Sequence, residues 1–220
     1  YSFSTTVGEE DIVPWTVTTD TMAVIDSLDL AHAQIYFANL RAFDLAGNPS
    51  FVSSSDGITV DLYQPATGTI IDGLSEDETY TGSLDTLVVT WIDFSDTVSG
   101  IQYFEYGVGT TSGGLDIRNW TDIGPVTTIN AGALSLVDET SYYVSVKATD
   151  GVGHVSGVVT TNGITADHTG PAGTTISDGD STDIDRQNDL NSFSGNWPSF
   201  TDEFSGLARH EAALYDVTTS

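Results

Sequence analysis

There is no cysteine in the 220-residue chain. That removes a disulfide framework, a zinc–thiolate site and thiol catalysis together. Positive charge is nearly as scarce: five Lys and Arg stand against 32 Asp and Glu, a formal net charge of -27. Nucleic-acid binding needs a cationic footprint that displaces phosphate counterions, and five dispersed basic residues cannot form one. Docking on an anionic membrane surface is excluded on the same ground, and no apolar run approaches the roughly 20 residues that span a bilayer. An initiator Met, a basic n-region and an apolar h-region are also lacking, so the chain is expected to be an internal piece of something longer. What is present is 39% hydrophobic and 10% aromatic residues. That is too much for an acidic disordered tail, so the chain is expected to fold.

Catalytic signatures are missing as well. His32, His154, His168 and His210 are scattered, with no His-x-x-x-His spacing. There is no Gly-x-Ser-x-Gly elbow, no Walker loop and no Gly-x-Gly-x-x-Gly following a strand. A pair of carboxylates can always be chosen from 32 acids, so no choice carries weight. The expectation is a protein without enzymatic activity.

The chain is instead self-similar, and a period of this kind decides the architecture. Arg41-Ala-Phe-Asp-Leu-Ala-Gly-Asn48 matches Lys147-Ala-Thr-Asp-Gly-Val-Gly-His154, and Gly57-Ile-Thr-Val-Asp61 matches Gly163-Ile-Thr-Ala-Asp167. Pro65-Ala66 matches Pro171-Ala172, and Trp91, Phe94, Asp96 and Ser99-Gly100 match Trp197, Phe200, Asp202 and Ser205-Gly206. All these pairs lie 106 positions apart. Further back, Tyr1, Thr5-Thr6, Gly8 and Trp15 face Tyr106, Thr110-Thr111, Gly113 and Trp120 at 105. With Pro65 and Pro171 opening modules, the phase divides the chain into three parts. Residues 1–64 are the rear of one module, 65–170 a complete module, and 171–220 the front of the next. Neighbouring chain, covalent or not, is expected to complete the two ends.

Within a module the pattern is strand-like. Leu84–Ile92, Ile101–Val108 and Ser141–Ala148 are β-rich and largely alternate apolar with polar residues. Turn signals at Asp72-Gly73, Ser112-Gly-Gly114, Asp150-Gly151 and Asn162-Gly163 separate the runs. No stretch carries an apolar stripe of period 3.6. Roughly seven short strands in about 100 residues is the arithmetic of an immunoglobulin-like sandwich. The expected fold class is therefore all-β, a tandem of sandwich modules.

The same residues resemble the fibronectin type III family. Trp91 in Leu-Val-Val-Thr-Trp fits its second-strand Trp, Ser99-Gly-Ile-Gln-Tyr103 the opening of its third strand, and Tyr143-Val-Ser-Val-Lys-Ala148 its sixth. The chain is closer still to the fibronectin-type or Ig-like repeats of very large bacterial surface adhesins, including those of gliding Bacteroidetes. That likeness rests on Asp178-Gly-Asp-Ser-Thr-Asp-Ile-Asp185, Trp91-Ile-Asp-Phe-Ser-Asp-Thr-Val-Ser-Gly-Ile101, Val108-Gly-Thr-Thr111 and Ala42-Phe-Asp-Leu-Ala-Gly-Asn48. In the middle module Glu76-Asp-Glu-Thr79 replaces the Asp-Ile-Asp element, and His154 replaces Asn. The resemblance implies a structural stalk or filament at the bacterial cell surface, serving adhesion or surface motility. Its partners would be neighbouring modules, surface polysaccharide or other cells. The other reading it leaves open is a non-catalytic spacer or carbohydrate-binding region of a secreted polysaccharide-degrading enzyme.

Two sets of residues are candidates for binding. Asp178, Asp180, Asp183 and Asp185, with Asp72 and Asp77 in the matching segment, repel one another unless solvent or a cation screens them. They read either as a solvated loop near a module junction or as calcium ligands. Hard calcium takes six to eight oxygens, and Asp61 or Asp167 from the linker would add to the set. Trp120, with Trp15 in the same phase, reads either as sheet-edge packing or as a platform for a sugar ring. Asp44 and Asp150, in Ala-x-Asp-x-x-Gly turns, are expected to bond their own backbone. Trp91 and Trp197 are expected in the core.

Overall fold

The computed structural model describes residues 1–173, 175–189 and 191–214. Among these there is no helix. In chain order the strands are β1 (Ser2–Ser4), β2 (Ile35–Leu40), β3 (Ser53–Ser54), β4 (Ile58–Thr59), β5 (Thr69–Asp72), β6 (Tyr80–Thr81), β7 (Leu87–Ile92) and β8 (Ile101–Gly109). They continue with β9 (Arg118–Asp122), β10 (Thr128–Ala131), β11 (Ser141–Asp150), β12 (Val159–Thr160), β13 (Ile164–Ala166), β14 (Ser177–Asp178) and β15 (Gly195–Asn196).

Residues 65–170 close into a two-sheet sandwich. One sheet has the order β10-β7-β5, and the other β6-β13-β11-β8-β9 with β12 also on β11. All pairings are antiparallel except β6 with β13. The alternation read from sequence sets the faces: β7 buries Leu87, Val89 and Trp91, while β11 buries Tyr142, Val144, Val146 and Ala148. Phe104, Tyr106 and Val108 of β8 and Ile164 of β13 fill the space between the sheets. Full burial of such a side chain is worth about 1.5–3 kcal/mol, so the core is made by these three long strands.

Two devices identify the sandwich as Ig-like. The Tyr142 hydroxyl accepts the Val137 amide at 2.7 Å, tying the start of β11 back to the loop before it. This is the tyrosine corner of such sandwiches. Tyr36 repeats it, accepting the Ala31 amide at 2.8 Å. Beside each corner tyrosine the outward ring covers a glycine. A Cβ on Gly163 would lie 2.7 Å from the Tyr143 ring, and one on Gly57 2.8 Å from Phe37. Both glycines also hold positive φ, 105° and 93°, which side chains with a Cβ adopt only at a cost.

The sequence repeat is a structural repeat. β1 pairs β2 as Ser2↔Asn39, Phe3↔Ala38 and Ser4↔Phe37. β8 pairs β11 in the same phase, as Gly107↔Ser145, Val108↔Val144 and Gly109↔Tyr143. At the other end β14 and β15 pair as Ser177↔Asn196 and Asp178↔Gly195, which repeats Ile71↔Thr90 and Asp72↔Val89 of β5 and β7. The chain is a tandem of immunoglobulin-like, fibronectin-type β-sandwich modules. Residues 1–64 hold rear-half strands and 171–214 front-half strands.

Candidate functional site at the module joints

The chain leaves β4 through Val60 and Asp61 and enters the next module at Pro65. Asp61 is nearly buried there, and its two oxygens face different modules. Oδ2 accepts the Ser99 hydroxyl at 2.6 Å; Oδ1 accepts the Tyr63 amide at 3.2 Å. Ser99 is held in place by Asp96, whose Oδ1 accepts the amides of Val98, Ser99 and Gly100 at 2.8–3.0 Å. The following amide, Leu62, donates to His32 Nδ1 of the upstream module at 3.2 Å. The same nitrogen lies 3.5 Å from Asp61 Oδ1.

The next joint is built the same way. Asp167 Oδ2 accepts the Ser205 amide at 3.0 Å, and Oδ1 accepts the Thr169 amide at 3.2 Å. His168 donates its amide to Asp138 at 2.7 Å, with Asp138 in the phase of His32. Asp202 caps the Ser205 loop through the amides of Phe204 and Gly206. Hydrogen bonds to the charged form lower a carboxyl pKa. The Ser99 hydroxyl, above all, holds Asp61 below the usual carboxylate range, against burial and the charge of Asp150. The Ser205 contacts do the same for Asp167.

Asp150 completes the first joint from the far end of β11. Its Oδ1 accepts the amides of Val152, Gly153 and His154 at 2.7–2.9 Å, and its Oδ2 lies 3.0 Å from His154 Nδ1. Burial pushes this carboxyl up, but those amides outweigh it and hold it below the ordinary value. The expected backbone-bonding turn is thus present, and Asp44 repeats it through Ala46 and Asn48. Oxygens of Asp61 and Asp150 and a ring nitrogen of His154 lie within 4.8 Å of one another, the group among the described residues closest to a metal-ligand arrangement. Hydrogen bonds within the protein already occupy these carboxylate oxygens.

The residues singled out for calcium lie elsewhere. Asp72 ends β5 and Asp77 follows in the crossover to β6, inside the module and away from the joint. Asp77 caps the turn: Oδ1 accepts the Asp72 amide at 3.0 Å and Oδ2 the Asn162 side chain at 2.7 Å. Asp183 does the same for Asp178, at 3.0 Å, while Asp180 and Asp185 are exposed on that loop. Asp178 itself is exposed, but Asp72 is fully buried and neither of its oxygens reaches a hydrogen-bond partner. Burial, with the neighbouring charges of Asp77 and Glu78, pushes Asp72 up to about 6; Thr161 and Gly163 lie close enough to offset part of this.

Trp120 of β9 is half-buried, with Lys147 Nζ 4.5 Å from its ring centroid. Lys147 also pairs with Glu105 at 3.0 Å. Trp15 repeats the stack under Arg41 at 4.2 Å. One face of each indole is therefore covered by a cation from its own module. Trp91 is in the core as expected, whereas Trp197 is exposed, because residues 171–214 carry no opposing sheet.

No family model matches the chain, and no curated protein does either. Among solved structures it is similar to the FN1–FN3 domains of chicken CNTN1, at 13% identity and TM-score 0.36 over 63% of this chain and 45% of that one. It is also similar to domains A168–A170 of titin, at 16% identity and TM-score 0.36 over 61% and 41%. The chain thus spans less than half the length of either structure. The fold stands on the strand order, register and tyrosine corners above. The joint itself was only partly legible in the sequence: Asp61 and Asp167 stand out as linker acids, but their partners Ser99 and Ser205 each lie 38 residues away.

Proposed function

We propose that the chain is a stalk segment: a run of sandwich modules in an extracellular, bacterial cell-surface adhesin or filament, whose role is to hold a binding end at a distance. The observation that carries this reading is the repetition of the joint. Both linkers dock by the same two moves, a linker amide to the upstream module and a linker carboxylate to the Ser of the downstream loop. Joints that repeat at a fixed spacing set a fixed module-to-module angle, which turns a string of domains into a rod. The acid-rich surface keeps such an exposed polymer soluble, and antiparallel strands loaded in shear resist pulling. No helix among the described residues is long and apolar enough to cross a membrane.

Small-angle scattering tests the joint. Asp61→Ala and Asp167→Ala together should broaden the distribution of end-to-end distances, with retained cooperative melting of the complete module as the control for folding. An unchanged distribution would remove the docking contacts as the source of stiffness, and with them the rod. Calcium belongs to the proposal in a changed place. The buried Asp72, next to Asp77 and Glu78, is where a hard cation would relieve both the burial and the neighbouring charge that disfavour its ionised form. It would act there on the stability of the module and not on the angle of the joint.

A further inference from the structure

We infer that the first joint is a metal site: the linker carboxylate Asp61, together with Asp150 and His154 of the module it enters, holds a divalent ion of the zinc class. This site stands whether or not the chain is a stalk.

The repeat itself points to a metal. Asp150 and His154 are in the phase of Asp44 and Asn48. In both copies the Asp Oδ1 accepts the amide of the fourth residue on, and Oδ2 meets that residue's side chain. Asn48 Nδ2 donates to Asp44 Oδ2 at 2.9 Å, and His154 Nδ1 lies 3.0 Å from Asp150 Oδ2. An Asn is therefore enough to close this turn. The histidine adds what an amide lacks, a ring nitrogen that ligates metals, and adds it where a second carboxylate arrives from the linker. Oxygens of Asp61 and Asp150 and a ring nitrogen of His154 lie within 4.8 Å of one another.

The surroundings suit a ligand set. The side chains of Asp61 and Asp150 are 1% and 0% exposed, and the charge of Asp150 disfavours the ionised form of Asp61. Buried charges need a partner or a metal. Outer contacts fix both carboxylates, as partners of metal ligands do: the Ser99 hydroxyl on Asp61 Oδ2, and three backbone amides on Asp150 Oδ1. That leaves Asp61 Oδ1, with the Tyr63 amide at 3.2 Å, and Asp150 Oδ2, with the His154 ring against it. A carboxylate oxygen has two lone pairs, so each keeps one for an ion. An ionised carboxylate only accepts, so the proton between Asp150 and His154 sits on Nδ1. The metal takes its place, and the partly exposed ring carries the proton on Nε2 instead.

The donors select the ion. Calcium and magnesium take oxygen ligands, whereas imidazole suits zinc, nickel, copper and iron. Ligands about 2.0–2.2 Å from zinc stand about 3–3.5 Å apart. Asp150 and His154 are already at 3.0 Å, and the wider separations close by a side-chain movement of about 1 Å. Water, or His32 of the upstream module, whose Nδ1 is 3.5 Å from Asp61 Oδ1, completes the shell. An ion held there ties the linker to the module that follows it.

The test is calorimetric titration of zinc chloride into the 220-residue chain, free of any histidine tag, with millimolar calcium present to fill sites made of oxygen alone. Two variants accompany the parent. His154→Asn copies the upstream turn, and Asp61→Asn keeps the shape of the linker while removing its charge; melting of the complete module is the control for folding. The parent should bind one zinc ion that each variant binds at least about tenfold more weakly, since losing an outer partner alone costs about 10–100-fold. Zinc held by other histidines would appear equally in all three proteins. Equal affinity in the parent and His154→Asn would overturn the inference. So would a loss confined to His154→Asn, because the ion would then belong to the module and not to the joint.

Discussion

Among the described residues Asp72 is the one fully buried carboxylate whose oxygens both lack hydrogen-bond partners, and its pKa is pushed up to about 6 by burial and by the acids beside it. The direction of the linkage follows. A folded-state pKa above the unfolded one means that the protonated form is bound more tightly by the fold. The stability this gives is complete below about pH 4 and is lost as pH rises through about 6. Near neutrality, ionised Asp72 costs roughly 2–3 kcal/mol. In chelator, Asp72→Asn should therefore raise the melting temperature at pH 7 and have little effect near pH 4. Asp61, Asp150 and Asp167 pull the other way, since their lowered pKa values add stability that is lost as pH falls. The mutant-minus-parent difference isolates Asp72 from them. With millimolar calcium the sign at pH 7 should reverse: calcium raises the melting temperature of the parent and leaves Asp72→Asn unmoved. A parent indifferent to calcium removes the cation from this site and leaves the proton as its only ligand.

At the scale of the element, the tyrosine corners carry the clearest prediction. The Tyr142 hydroxyl holds the loop ahead of β11, and its ring is part of the core. Tyr142→Phe keeps the ring and removes the hydroxyl that accepts the Val137 amide. The expected loss is about 0.5–1.5 kcal/mol, seen in chemical denaturation as a lower midpoint at constant slope. A loss below 0.5 kcal/mol, on the order of a surface change, would mean that water replaces the hydroxyl and the corner is not structural. The strands were legible in the sequence because their signal is local. Leu87, Val89 and Trp91 alternate with Val88, Thr90 and Ile92, and a constant offset of 106 fixes which aromatics share a role. Two kinds of feature were not legible. The short β6, parallel to β13, has no pattern in two residues. The stack of Lys147 on Trp120 depends on which strands lie side by side, which one unaligned sequence does not state. The acids at 72–78 read as a uniform polar run, although one of them is inside and the rest are outside.

For the whole molecule the dominant quantity is the imbalance of 32 acids against five Lys and Arg. Lys147–Glu105 and Arg209–Glu211 join a Lys or Arg to an acid, and five Lys and Arg against 32 acids leave most of the negative charge to be balanced by solvent ions. Self-repulsion of this kind disfavours the compact state, and it is screened over about 10 Å at 0.1 M salt and about 3 Å at 1 M. The chain should therefore melt higher in salt, by about 4–8 °C between 10 mM and 0.5 M sodium chloride if about 1 kcal/mol of repulsion is relieved. Choline chloride should give the same rise as sodium chloride, because screening is indifferent to the cation, whereas a bound metal is not. Replacing the exposed Asp56, Asp93, Asp122 and Glu139 by their amides should raise the low-salt melting temperature and flatten the dependence. A melting temperature that does not change with salt would mean that the acids are spaced beyond each other's reach. In that case the charge would bear on solubility alone, and the joints, held by the Ser99 and Ser205 contacts, would form without opposition.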